Sequence, residues 1–89
     1  MNSSPLIAVV TGASSGLGKA VTEQLAEQGI TVFALARKID ALDFPENVTK
    51  IVCNIRDLNS IDDAFNEIDK KTEKIDFLVN CAGRALLKP

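Results

Sequence analysis

Eight residues, Thr11-Gly12-Ala13-Ser14-Ser15-Gly16-Leu17-Gly18, gather three glycines and two serines into one turn. An apolar run, Leu6-Ile7-Ala8-Val9-Val10, precedes them and an amphipathic helical stretch follows. A buried strand, then glycines, then a helix N-terminus is how an α/β protein seats a phosphate. Amides in the turn and first helical turn lack intrahelical partners, and the helix dipole adds partial positive charge there. Without a Cβ at Gly12, Gly16 and Gly18 the chain can turn sharply, a pyrophosphate can approach the backbone, and helix and strand can lie close. The chemistry indicated is capture of a diphosphate, and so of a dinucleotide. A bare tight turn needs less than three glycines bracketing two serines. A P-loop is disfavoured, because Lys19 is followed by Ala20 where that motif has serine or threonine.

A second chemistry-bearing position ends the second apolar run. An acid there would bond a ribose 2′-hydroxyl and repel a 2′-phosphate. This chain instead has Ala36, 18 residues past Gly18, followed by Arg37 and Lys38. Two cations and no acid favour a 2′-phosphate through charge-assisted hydrogen bonds, Arg37 leading. NADP is therefore the expected cofactor, with NAD second. Two other readings stand beside it: Arg37 and Lys38 solvate a helix start, or Asp40 reaches a ribose hydroxyl.

The elements that must position these groups alternate along the chain. Strands are expected at residues 6–11, 30–36, 48–53 and 77–80, the first a continuous apolar run suited to cover on both faces of a parallel sheet and the second β-branched and buried. The first helix is expected at about residues 15–28, with Leu17, Val21 and Leu25 as its apolar stripe and Gly29 as its left-handed stop. One or two helical turns fit residues 37–42, before Phe44-Pro45 interrupts them. Ser60 with Asp63 resembles a capping box for the last helix, whose apolar face is Ile61, Ala64, Phe65 and Ile68, with Ile75 near its end. Asp57 is expected to cap the turn after the third strand. The order β-α-β-α-β-α-β, with right-handed crossovers, gives an α/β fold: a Rossmann-type doubly wound parallel sheet, N-terminal half, with strand order 3-2-1-4. Residues 1–89 make one partial domain that stops after its fourth strand.

Three motifs together carry a resemblance: Thr11-Gly12-Ala13-Ser14-Ser15-Gly16-Leu17-Gly18, Asn54-Ile55-Arg56-Asp57 after the third strand, and Asn80-Cys81-Ala82-Gly83 after the fourth. This combination resembles the N-terminal third of a short-chain dehydrogenase/reductase, over nearly the whole chain. The resemblance implies that Gly12, Ser14, Ser15, Gly16, Leu17 and Gly18 form the pyrophosphate and ribose seat, Ser14 and Ser15 as side-chain donors. Thr11 would tie the first strand to the fourth, and Gly18 would serve packing more than contact. Asn54, followed by Ile55, replaces the family's usual adenine-recognising acid and keeps a carbonyl acceptor. Asn80, Ala82 and Gly83 would line the ribose and nicotinamide side, Asn80 mainly as a structural residue. Cys81 stands where asparagine is usual.

The family moves a proton at the substrate oxygen with a tyrosine tuned by a lysine four residues on, with a serine nearby. The 89 residues contain no tyrosine and no histidine, so no catalytic residue is assigned, nor any metal ligand set. Cys81 as a nucleophile lacks an activating base. Asp62, Glu67 and Asp69 read as a solvated helix face. The implied function is the NADP-binding portion of an oxidoreductase, inactive by itself; the alternative is a non-catalytic nucleotide-binding module or regulatory partner.

Bulk properties exclude other classes. Hydrophobic content of 46% with 25% charged residues argues against disorder. A net charge of −2 without a basic cluster argues against nucleic acid or an anionic membrane surface. No apolar run is of membrane-spanning length and the N-terminus lacks signal-peptide features, so a cytoplasmic protein is expected. Cys53 and Cys81 should lie on opposite sheet edges, about 14 Å apart, as two free buried thiols. Ending at the fourth strand should leave an unpaired apolar edge, marginal stability, and association through that edge.

Overall fold

Residues on the first strand, β1 (Ile7–Thr11), alternate between two interiors. Ala8 and Val10 pack into one apolar cluster, Ile7 and Val9 into the other. The computed structural model describes residues 5–81. In it β1 is followed by α1 (Gly16–Glu27), β2 (Thr31–Ala36), a short 3-10 turn (Ile39–Ala41), β3 (Val48–Val52), α2 (Leu58–Lys71) and β4 (Phe77–Asn80). All strand pairs are parallel, in the order β3-β2-β1-β4. The expected half of a doubly wound sheet is what forms.

Side-chain size sorts the two faces. Beneath α1 the sheet offers small groups, Ala8, Ala34 and Ala36, with Val10 and Val32. The helix answers with Gly18, Thr22 and Ala26, its buried stripe, so helix and sheet backbones approach closely. Thr22 is fully buried, its hydroxyl donating to the Gly18 carbonyl at 2.8 Å. Beneath α2 the sheet offers Val9, Phe33, Leu35 and Ile51, met by Ala64 and Ile68 with Ile61 and Phe65 at the margin. Truncating a fully buried Leu35 or Ile68 to alanine would cost about 2–5 kcal/mol.

Four local expectations are corrected. Leu17 does not join the buried stripe of α1 and is 68% exposed. Gly18 must face the sheet, and the residue before it, about 100° around the helix, turns outward. The cap of α2 is Asp57, not Ser60: its side chain accepts from the Asn59 amide at 3.0 Å. Ser60 sits inside the first turn, and its hydroxyl accepts from the Asn54 amide at 2.8 Å. Cys53 is buried but Cys81 is only half-buried; both are free thiols. Ile75 lies beyond α2 and is 40% exposed.

Two polar clamps complete the frame. The Asn47 side-chain amide donates to the carbonyls of Ala26 and Ile30, both at 2.9 Å, joining the end of α1 to the start of β2. Asp76 accepts from the Ile7 amide at 2.8 Å and pairs with Lys74 at 2.9 Å, fixing the entry of β4 beside β1. Among the described residues β4 pairs only with β1. Phe77 and Leu78 on it are 43% and 62% exposed. No helix among the described residues is long and apolar enough to cross a membrane.

Candidate functional site

Parallel pairing brings the ends of all four strands to one edge of the sheet. Thr11 is in register with Leu35 on β2 and Asn80 on β4, and Ala36 with Val52 on β3. The groups that follow these ends, Gly12–Gly18, Arg37-Lys38, Asn54-Ile55 and Cys81, are therefore delivered to that edge. The second and third strands extend the sheet on one side of β1, while β4 lies on the other. The glycine turn leaves β1 where strand order reverses, which is where open α/β sheets bind ligands.

Internal hydrogen bonds shape the turn. Gly12 adopts φ +67°, a left-handed value that L side chains rarely tolerate. The Ala13 amide donates to the Leu35 carbonyl at 3.2 Å, pinning the turn to β2, and the Ser15 amide donates to the Gly12 carbonyl at 3.1 Å. Ser15 is the N-cap of α1: its hydroxyl accepts from the Gly18 amide at 3.0 Å and donates to the Gly12 carbonyl at 2.8 Å. A serine cap of this kind contributes about 1 kcal/mol to the helix. The single Ser15 hydroxyl proton is spent inside the turn, whereas Ser14 is exposed.

The three glycines differ in what surrounds them. A Cβ on Gly18 would collide with the Gly12 carbonyl, so this glycine is a packing residue. A Cβ on Gly16 would meet nothing within 4 Å. Open space thus lies over the first residue of α1. Among the described residues the Gly16 and Leu17 amides have no protein acceptor, as the first turn of a helix requires. Exposed Ser14 and Leu17 flank this mouth. Unpartnered amides at a helix N-terminus are the kind of donor set that binds anions.

The neighbouring strand ends carry the remaining expected residues. Thr11 donates its hydroxyl proton to the Asn80 carboxamide oxygen at 2.6 Å, tying β1 to β4, and the Cys81 amide donates to the Thr11 carbonyl at 3.0 Å. Arg37 and Lys38 occupy an exposed turn directly after β2. Asn54 spends its side-chain carbonyl on the Arg56 amide at 3.0 Å, and its backbone carbonyl accepts from the Asp57 amide at 3.0 Å. Ile55 packs at the edge of the α2-side core. Ala82 and Gly83 lie outside the described residues. Burial pushes the Cys53 thiol above its ordinary value, partly offset by its bond to Ser60, so this thiol is not an activated nucleophile.

Sequence reasoning missed three polar supports of the frame, two of them at the opposite end of the strands from the site. Lys50 donates to the Leu42 carbonyl at 2.8 Å, Asp76 holds the Ile7 amide, and Asn47 bridges two carbonyls. Each bonds backbone groups outside its own element, which no local pattern signals.

The family profile described as short chain dehydrogenase matches residues 6–89. An uncharacterised short-chain type dehydrogenase/reductase of Sinorhizobium fredii is 46% identical over 77 residues, covering 86% of this chain and 30% of that protein. A short-chain dehydrogenase from Streptomyces avermitilis superposes with a TM-score of 0.82 at 36% identity, covering 91% of this chain and 32% of that one. A variant of actinorhodin polyketide ketoreductase with NADPH superposes with a TM-score of 0.80 at 30% identity, over 90% of this chain and 34% of that one. The chain spans about a third of the length of such relatives. With the sheet, the glycine turn and these matches in agreement, the chain belongs to the short-chain dehydrogenase family and carries that family's N-terminal part.

Proposed function

We propose that the chain is the cofactor-binding portion of an NADP-dependent oxidoreductase that passes a hydride between nicotinamide and a carbonyl or alcohol substrate. The observation that carries this reading is the mouth of α1, where among the described residues the Gly16 and Leu17 amides have no protein acceptor and a Cβ on Gly16 would meet nothing within 4 Å. NADP, when bound, supplies the hydride chemistry. The chain's own residues bind and orient it. The Gly12–Gly18 turn receives the pyrophosphate, and Ser14 offers a side-chain donor; Ser15 serves mainly to hold the turn. Arg37 and Lys38 take the 2′-phosphate, because no carboxylate stands at the end of β2 to repel it. Asn54 and Ile55 frame the adenine, and Asn80, Ala82 and Gly83 the ribose and nicotinamide side.

In this reading residues 1–89 do not turn over substrate alone. They hold no tyrosine and no histidine, so the proton at the substrate oxygen is handled by residues outside this stretch. A cytoplasmic location and association through the open edge of β4 belong to the same reading. NADPH in the superposable ketoreductase supports the cofactor class.

Titration of the protein with NADPH and NADH, followed by nicotinamide fluorescence, tests the assignment. NADPH is expected to bind at least about tenfold more tightly, and Arg37→Ala to remove most of that preference. Equal affinities in the parent protein, or an unchanged ratio in Arg37→Ala, would contradict it.

A further inference from the structure

The Arg37-Lys38 turn runs into a short 3-10 turn, where the Ala41 amide donates to the Lys38 carbonyl at 3.3 Å, and a side chain on another strand holds the far end of that turn. Lys38 is the N-terminal flank of the 3-10 turn Ile39–Ala41 and makes no side-chain cap bond. Ile39 is fully buried in the α1-side core, which anchors the middle of the segment. Its far end is anchored by Lys50. The ammonium donates to the Leu42 carbonyl at 2.8 Å, and the Asp40 carbonyl lies at 3.5 Å. Lys50 sits on β3 in register with Ala34, two residues before the end of β2. By strand alternation it shares a face with Val48, on the α1 side of the sheet. A lysine on an otherwise apolar sheet face is unusual, and its half-buried position is accounted for by these carbonyls.

We propose that Lys50 is a positioning residue for dinucleotide choice: by holding the carbonyls at the end of the 3-10 turn, it fixes where Arg37 and Lys38 stand against a 2′-phosphate. This rests on the proposed assignment of Arg37 and Lys38. The logic is geometric. A charge-assisted bond to phosphate is short and directional, so a segment free to shift at one end loses alignment before it loses its fold. NADH, lacking the 2′-phosphate, does not sense that alignment. Lys50 touches neither cofactor, and its effect must pass through Arg37.

The test is a double-mutant cycle in the full chain, with Kd measured for NADPH and NADH in the parent, Lys50→Met, Arg37→Ala and the double variant. Lys50→Met is expected to weaken NADPH about five- to tenfold while NADH stays within about twofold. In the Arg37→Ala background the same change should leave the NADPH/NADH ratio nearly unmoved, because the two act as one unit. Lys50→Arg, which keeps a long cationic donor, should restore the parent ratio. Equal weakening of both nucleotides by Lys50→Met, or full additivity with Arg37→Ala, would overturn the inference and leave Lys50 a stability residue. If Arg37→Ala shifts the ratio and neither Lys50 variant does, the positioning role falls while the Arg37 assignment stands. If Arg37→Ala does not shift it, the assignment falls and the inference with it. Should Lys50→Met fail to fold, Lys50→Gln in the same cycle, with the same outcomes, decides the matter.

Discussion

Gly18 lies so close to Gly12 that a methyl in place of its hydrogen would stand 2.7 Å from the Gly12 carbonyl carbon and 2.9 Å from the Ala13 Cα. Both obstacles are backbone, which cannot swing aside as a flexible side chain would. Gly18→Ala should therefore destabilise the protein by about 2–3 kcal/mol or more. It should also distort the turn and weaken nucleotide binding. Denaturant unfolding and a nucleotide titration check the two parts; a variant as stable as the parent would show that helix and turn can separate freely.

Gly16 makes the opposite prediction from the same motif. Its φ is not positive and nothing lies within 4 Å of a Cβ there. Gly16→Ala should keep stability within about 1 kcal/mol of the parent, on either side, since alanine is the better helix former. The methyl would nevertheless occupy the approach to the Gly16 and Leu17 amides, so NADPH affinity should fall about tenfold or more. Retained affinity in Gly16→Ala would move the diphosphate elsewhere.

Acid sensitivity of the β1–β4 junction follows from Asp76. Its carboxyl is held below the ordinary carboxylate range, first by the bond to Lys74 and then by the bond from the Ile7 amide. A lowered folded value means that the stabilisation is present at neutral pH and fades as pH falls through that value. Unfolding measured between about pH 6 and pH 2.5 should lose this component in the parent. Asp76→Asn should remove it at all pH values, giving a flatter profile. Salt should shrink the difference, because the group is on the surface. An identical pH profile for parent and variant would contradict the role.

Much of the architecture was legible because single residues report it. Continuous apolar runs such as Ile7–Val10 and Val32–Leu35 match strands covered on both faces, and Gly29 takes the left-handed φ of +83° expected after a helix. The link from Thr11 to Asn80 also followed from residue type and place. Where reading failed, two candidates competed for one role. Leu17 fits the helical period of Val21 and Leu25, but the close approach of Gly18 sets the rotation of α1 and turns Leu17 outward. Ser60 fits a cap, but Asp57 three residues earlier takes it, freeing Ser60 to hold the Asn54 amide. Asn54 kept its acceptor, as its type requires, and then spent it on the Arg56 amide. Lys50, Asn47 and Asp76 were not legible, since each acts on backbone groups that only the folded chain brings near.

The central claim is that unpartnered amides at the start of α1 grip the diphosphate of a dinucleotide. The most direct measurement is an NMR titration of the isotopically labelled full chain with NADPH, following each backbone amide. The largest shifts should fall on Gly16 and Leu17, with Gly12 and Ser14 close behind and the Arg37-Lys38 turn responding to NADPH more than to NADH. Saturating nucleotide that leaves the Gly16 and Leu17 amides unmoved, or that shifts a different face of the sheet, would contradict the account.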